Sequence, residues 1–442
     1  MSIFVRSLLV FGALAVGAGV DAARAQATFT ETVLRNFSAP TDPGYQFGYR
    51  PQMGVLLSGG DLYGSASAGG KLNGGAIYRR AGNGQMTVLY SFTDTKPTNA
   101  ATWCGFNPSA RLVRDSAGDL YGTTYQGGEN DGGVVFRLHD DGSGEWTCTV
   151  LNAFFKKPGS GDPKGYGPFG GLTLVGQDTL YGTAQFSGAT RQNGVLIPSG
   201  GIIFKLTRNG ASWDYDGAIY TFRIGTPSNG LVPTGPLFFK SGLLYGATSF
   251  GGINNGGVVY KIDPAAPAAS FTVIFRFNGD TTSNAALRGY QPTQGPLAVD
   301  NSDIVYGATS SGGKDINGAF INAGVVFKLT PSGNPMYTYE MLHSFDSQNL
   351  PGNGFGPIGG VTLMNNALYG VTQFGGAAGG GSVYKLSGGL KRTFTLLYDF
   401  PDASLGFRPS GPLVVSGQET IIGTTLIGGN FNAGTIFRLT PP

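Results

Sequence analysis

One short stretch occurs seven times along this chain. It reads Leu-Tyr-Gly-Thr-Thr, then two separate Gly-Gly pairs, then Val-Phe-Lys-Leu. The clearest copy runs from Leu120 to Leu138. The Tyr-Gly step recurs at Tyr63, Tyr121, Tyr181, Tyr245, Tyr306 and Tyr369, and a seventh copy, Ile421-Ile422-Gly423, lacks the Tyr. The spacing is about 53 to 64 residues. A unit of that size cannot bury its own apolar face, so the copies must pack on one another as one array. The 442 residues therefore form a single repeat domain and not two or three independent ones.

Two further signatures mark each unit. A run of β-branched and aromatic residues ends it, as in Thr87-Val88-Leu89-Tyr90-Ser91-Phe92 and Thr395 to Phe400. A loop follows, and then Gly, an aromatic, any residue and Pro. The copies are Gly48 to Pro51, Gly105 to Pro108, Gly165 to Pro168, Gly230 to Pro233, Gly289 to Pro292, Gly354 to Pro357 and Gly406 to Pro409. Only Leu231 replaces the aromatic. A short apolar strand comes next. No stretch beyond the leader holds a 3.6-residue apolar period.

Each unit thus predicts four short strands: a after the Pro motif, b with Tyr-Gly, c with Val-Phe-Lys, and d ending in Phe. Seven such units predict an all-β chain, a seven-bladed β-propeller with four-stranded blades. The ends support a closed ring. The last unit supplies a, b and c and then stops, whereas a surplus d-type strand, Glu31 to Phe37, stands at the N-terminus. That strand is expected to complete the last blade, an exchange for which a linear solenoid has no use.

The Leu-Tyr-Gly-Thr-Thr and Gly-Gly-x-Val-Phe-Lys-Leu pattern resembles the GloVer tandem repeat of exported bacterial proteins, over nearly all of the mature chain. Members carry varied C-terminal anchoring signals, and this chain shows none. The resemblance implies no catalytic residues. The Gly-Gly pairs are also similar to kelch repeats, but the kelch order of elements and its later Trp do not match.

Residues 1–25 read as a signal peptide and residues 26–442 as the propeller. Arg6 is the positive start, Leu8 to Val20 the apolar run, and Ala23-Arg24-Ala25 a small-x-small cleavage site. A secreted, periplasmic or cell-surface bacterial protein follows, with no transmembrane segment once the leader is removed and a monomeric state expected. Export permits a disulfide between Cys104 and Cys148. The alternative is two separate thiols, because the strand placement sets them near opposite ends of a blade. Charged residues make up 12% of the chain and the net charge is +3, which excludes a nucleic-acid footprint.

Features common to every unit belong to the frame. The Tyr of strand b is expected between blades, and the recurring glycines are expected to allow tight turns and positive φ. The basic residue after the strand-c aromatic (Arg79, Arg137, Lys205, Lys261, Lys328, Lys385, Arg438) reads as a blade-covering side chain paired locally, in preference to a polyanion-binding ring. Function is expected where the units differ. The d-to-a and b-to-c loops share one face. They carry Tyr45, Phe47, Lys71, Glu129, Asp131, Lys156, Lys157, Asp162, Lys164, Arg288, Lys314, Asp315 and the insert Thr190 to Ser199.

Within Gly-aromatic-x-Pro the x residue varies: Arg50, Asn107, Gly167, Val232, Gln291, Gly356, Arg408. Ring closure would bring Arg50 and Arg408 onto neighbouring blades, a guanidinium pair suited to a carboxylate or sulfate. Tyr49, Arg50, Trp103, Phe106, Asn107, Tyr166, Tyr290 and Arg408 are the candidate ligand-binding residues, with the rings stacking on sugars. An acidic polysaccharide or a surface protein is the expected partner. The first alternative is a polysaccharide lyase or hydrolase at the channel mouth, using Tyr and Arg or the Glu129–Asp131 pair. The second is a structural surface protein. His139 and His343 are too scattered for a catalytic triad or a His-rich metal centre. No cofactor is expected.

Overall fold

The computed structural model describes residues 29–38, 45–155, 165–192, 195–282, 287–315, 317–333, 335–347, 354–389 and 392–442. The leader, Lys156, Lys157, Asp162 and Lys164 lie outside them. Seven antiparallel sheets surround one axis among the described residues. The first blade, in order from the axis outward, is Val55–Ser58, Asp61–Ala66, Asn73–Arg80 and Met86–Thr93. The last is Phe407–Ser416, Thr420–Ile427 and Thr435–Thr440, completed by the N-terminal strand Thr30–Asn36. Thr30 pairs with Thr440 and Val33 with Phe437, so the ring closes as the surplus strand predicted.

The glycine of Tyr-Gly is not a turn residue, which corrects one expectation for the recurring glycines. It lies in the extended middle of strand b, directly across from the strand-c aromatic: Gly64 opposite Tyr78, Gly122 opposite Phe136, Gly423 opposite Phe437. The far end of the ring sits over it. A Cβ on Gly64 would stand 2.5 Å from Tyr78 Cζ, and one on Gly423 would stand 2.5 Å from Phe437 Cζ. The same holds at Gly182, Gly246, Gly307 and Gly370, so the glycine makes room for a cross-strand ring.

The preceding Tyr points the other way, into the next blade. Tyr63 joins the core around Phe136, Tyr121 the core around Phe204, and Tyr369 the core around Phe437. Ile422 does this work in the seventh unit, packing with Tyr78 and Phe37 where the last blade meets the first. The apolar core is thus distributed over seven inter-blade seams. Each seam buries several large rings, whose truncation would cost roughly 3–5 kcal/mol apiece.

In every blade strand d bulges beside the residue that faces the strand-c aromatic. The extra residue there is Leu or Ile: Leu34, Leu89, Leu151, Ile219, Ile274, Leu342 and Leu397, and the long third-blade strand carries a second bulge at Asp216. A bulge adds local twist.

The Pro motif proves to be strand and not loop. Phe106–Pro108, Leu231–Pro233, Tyr290–Pro292 and Phe355–Pro357 each pair with the far end of strand b. Proline tolerates this place because strand a is the inner edge of the sheet, where no neighbour needs its missing N–H. Its ring also meets the preceding blade. The glycine that opens strand c faces a proline: Gly75 faces Pro108, Gly133 faces Pro168, Gly257 faces Pro292, and Gly434 faces Pro51, with a Cβ-to-Cδ separation of 2.5–2.8 Å over the seven joints. The two signatures therefore interlock from one blade to the next.

Cys104 and Cys148 are disulfide-bonded, with Cα atoms 6.6 Å apart. The opposite-ends placement fails because Cys104 is buried in the core with Leu112, Leu120, Phe136 and Leu138, against which Cys148 packs.

Five of the seven strand-c basic residues have a carboxylate partner, as expected for local pairing. Arg79 meets Asp61 at 2.6 Å, Arg137 meets Asp119 at 2.5 Å, Lys205 meets Asp216 at 2.9 Å, Lys328 meets Glu340 at 2.8 Å, and Lys385 meets Glu419.

Candidate functional site

The x residue of Gly-aromatic-x-Pro adopts positive φ in all seven blades, from 56° at Gln291 to 68° at Gly167. This left-handed conformation suits Gly and Asn, which occupy Gly167, Gly356 and Asn107. Arg50 and Arg408 hold it at φ 58° each, at a cost on the order of 1 kcal/mol. Val232 and Gln291 also hold it, so the slot tolerates side chains without requiring them. The x backbone N–H reaches across the seam: Arg50 donates to the Ala433 carbonyl, and Arg408 to the Gly380 carbonyl. The two arginines thus stand on consecutive joints, one on either side of the last blade.

Both side chains are exposed. The Arg50 guanidinium lies 5.8 Å from the Tyr49 ring centre and that of Arg408 lies 5.4 Å from the Phe374 ring centre. Neither has a carboxylate partner among the described residues. Tyr49 in turn faces Tyr45, with centroids 6.5 Å apart, and Tyr45 donates to Asn73.

The other candidates are dispersed. Trp103 is buried, donates its indole N–H to the Thr93 carbonyl and stacks on Phe106, so only Phe106 keeps an open side. Tyr166 stacks on Phe186 at 5.1 Å, and Tyr290 donates to Asn322. Tyr49, Tyr166 and Tyr290 stand on three different, non-adjacent blades. Asp131 meets Lys96 at 3.7 Å, and Lys96 donates to the Glu129 carbonyl, which ties this acidic loop to its neighbour. His139 pairs with Asp119 near Arg137, and His343 is sealed against Phe394. Among the described residues no three His, Cys, Asp or Glu gather as a metal site.

The axis holds two spaces that the sequence did not announce. The residues two or three places after each motif proline form the narrowest layer of the ring, where glycines meet backbone to backbone. A Cβ on Gly359 would stand 2.2 Å from the Gly411 carbonyl oxygen, and one on Gly170 would stand 2.5 Å from that of Gly235. Met53 holds the equivalent place in the first blade and lines the spaces on both sides. On the loop face lies a vestibule of about 150 Å³, edged by the amides of Gln52, Gln294 and Gln373 and by Phe169. On the turn face lies a chamber of about 700 Å³, walled by strand a of several blades and holding two arginines, Arg111 and Arg114.

Three solved structures are similar to the chain, and the first agrees with the fold. A streptogramin B lyase has 16% identity over 94% of this chain and 98% of its own, with a TM-score of 0.51. The polysaccharide lyase Uly1 has 12% identity over 94% and 97%, with a TM-score of 0.46. A glucose dehydrogenase has 12% identity over 93% and 100%, with a TM-score of 0.44. The first of these likenesses, at 16% identity, is one of architecture alone. No curated protein sequence matches the chain. The Gloeobacter/Verrucomicrobia repeat model matches residues 17–198, 105–321 and 283–442, and with its sevenfold signatures now placed on seven blades the chain belongs to that repeat family.

Proposed function

We propose that this propeller is an exported binding protein that recognises an acidic polysaccharide on the face formed by its d-to-a and b-to-c loops. The observation that carries this reading is the pair Arg50 and Arg408. Both are exposed, both occupy a backbone conformation that glycine fills at lower cost, and both lack a carboxylate partner among the described residues. Val232 and Gln291 hold the same conformation, so the weight of the reading falls on the two exposed guanidinium groups without a carboxylate partner. A guanidinium donates two parallel hydrogen bonds to a uronate carboxylate or a sulfate, and the Tyr49 and Phe374 rings beside the two arginines offer faces for sugar stacking.

Affinity electrophoresis of the mature protein in gels carrying uronate-rich, sulfated or neutral polysaccharide tests this. Retardation by an acidic polymer is expected, weakened by salt and lost in the Arg50→Gln/Arg408→Gln double variant. Equal mobility in all gels, or retardation unchanged in the double variant, overturns it. Assaying the same mixtures for unsaturated uronates and new reducing ends separates binding from cleavage.

A further inference from the structure

We propose that the axial chamber on the turn face binds a small amphipathic anion, an oxyanion head on an apolar body, with Arg111 holding the head. This site is separate from the loop face and does not depend on the reading given for it.

Arg111 stands three residues after its motif proline. The equivalent residues are Gly54, Gly171, Pro236, Gly360 and Pro412, with Pro296 in the fifth blade after a one-residue insertion. Six blades thus put no polar side chain at this level, and the second puts a guanidinium there. Strand a runs from the glycine layer toward the turns, so Arg111 lies at the closed end of the chamber and Arg114 nearer its mouth.

The two arginines differ in what holds them. Arg114 is anchored: its Nε donates to the Gly118 carbonyl, Nη1 donates to Ser58 Oγ, and the guanidinium lies over Tyr63. Arg111 has no hydrogen-bond or ion-pair partner among the described residues. Its Nε is sealed from solvent and unpaired, while the side chain keeps some surface open to the chamber it lines. Enclosure lowers its pKa, yet an arginine remains charged. A largely enclosed cation without a partner is costly, and an anion in the chamber would offset that cost.

The walls specify the rest of the ligand. Leu56, Val113, Leu174, Phe238 and Leu363 line the space, and no carboxylate does. The volume falls within the usual range for small-molecule sites, which combine apolar walls with a few placed polar groups. A sugar polymer would leave its hydroxyls unsatisfied against such walls. A carboxylate or sulfonate on an aliphatic or aromatic body would not.

The probe is 8-anilinonaphthalene-1-sulfonate, followed by fluorescence titration of the folded full-length mature protein. Its uncharged analogue N-phenyl-1-naphthylamine is titrated in parallel, and octanoate and 1-octanol serve as competitors. One saturable sulfonate site is expected, displaced by octanoate far better than by 1-octanol. Arg111→Gly, which installs a residue that other blades carry here, should weaken the sulfonate roughly tenfold to a hundredfold and leave the uncharged analogue nearly unchanged. Arg111→Lys should retain part of the affinity, and Leu363→Trp should reduce binding of both probes by filling the space. No saturable sulfonate site, sulfonate affinity unchanged in Arg111→Gly, or an equal loss of both probes in that variant would overturn the proposal.

Discussion

Gly434, near the C-terminus, and Pro51, in the first blade, touch across the seam that closes the ring. A Cβ on Gly434 would stand 2.7 Å from Pro51 Cδ and 2.4 Å from the Thr425 carbonyl oxygen, and the glycine has φ +96°. Gly434→Ala should therefore combine left-handed strain with overpacking, and lower the unfolding free energy by roughly 2–4 kcal/mol. Gly142→Ala is the control. Gly142 also has positive φ but nothing within 4 Å of the added carbon, so it should lose only about 1 kcal/mol. Urea melts of the two variants separate overpacking at the closing seam, against Pro51 and the Thr425 carbonyl, from left-handed strain alone. Equal losses would mean that the seam yields.

The strand-c ring is Phe in four blades and Tyr in three: Tyr78, Tyr260 and Tyr384. All three hydroxyls are buried without a hydrogen-bond partner. An unsatisfied buried hydroxyl costs on the order of 1–3 kcal/mol. Each Tyr→Phe change should raise the unfolding free energy by about 1 kcal/mol, with near-additive effects because the three lie in separate seams. Thermal melts of the single and triple variants provide the check, and a loss in all three would count against the unpaired assignment.

Frame and site differed in how far the sequence revealed them, and the reason is physical. Sevenfold recurrence made the blades, their number and the clasp Thr30–Asn36 readable, since each signature could be checked against six others. The inner Pro strand was not readable, because proline signals a loop unless the strand is known to be an edge. The bulges were hidden as well. Leu89 and its six counterparts look like ordinary strand residues, and a bulge is a register shift that only the partner strand reveals. Among site residues, Arg50 and Arg408 stood out as departures within a motif. Arg111 did not, although the same signal was present: a charged residue in a slot that otherwise holds Gly or Pro. Trp103 misled because a Trp in a loop resembles a stacking platform, whereas its N–H is used internally.

Two buried ionisable groups should make stability depend on pH in opposite directions. Glu31, on the clasp strand, has both carboxylate oxygens sealed without a geometric hydrogen-bond partner beside Tyr398, and burial raises its pKa from 4.5 to about 7. Its stabilising contribution is full below pH 4.5 and is lost as the pH rises through 7, up to about 3 kcal/mol. His343, stacked on Phe394, has its pKa lowered by burial from 6.5 to about 4. Its contribution is full above pH 6.5 and is lost as the pH falls through 4. Between pH 4.5 and 6.5 the slopes oppose, so these two groups leave the native chain nearly flat there. Glu31→Gln should unmask a rise in stability with pH in that window, and His343→Phe a fall. Urea midpoints across the range measure both, and unchanged slopes in both variants would place the two groups nearer water.

The Cys104–Cys148 bond closes a loop across 44 residues of sequence. Chain-entropy reasoning puts its contribution at about 4 kcal/mol, the upper end of the roughly 2–4 kcal/mol typical of disulfides. Cys104→Ser/Cys148→Ser should lower the urea midpoint accordingly. Reductant should lower the native protein to the level of the variant and leave the variant itself unchanged. A variant as stable as the oxidised protein would show that burial of Cys104 and Trp103 holds the loop unaided.

The last prediction separates stability from binding at Arg50 and Arg408. Both occupy φ 58°, where glycine is at ease. Arg50→Gly and Arg408→Gly each remove left-handed strain of about 1 kcal/mol and give back part of it as added freedom in the unfolded chain. They also remove the guanidinium–ring contacts with Tyr49 and Phe374, which are worth roughly 0.5–1 kcal/mol when exposed. These terms nearly cancel, so stability should change by less than about 1 kcal/mol in either direction. If the arginines serve neither a ligand nor the frame, the double glycine variant behaves as the native protein in every assay. If they face a ligand, the variant keeps its melt and loses retardation by acidic polysaccharide. A large fall in stability would instead assign the two side chains to the seams on either side of the last blade.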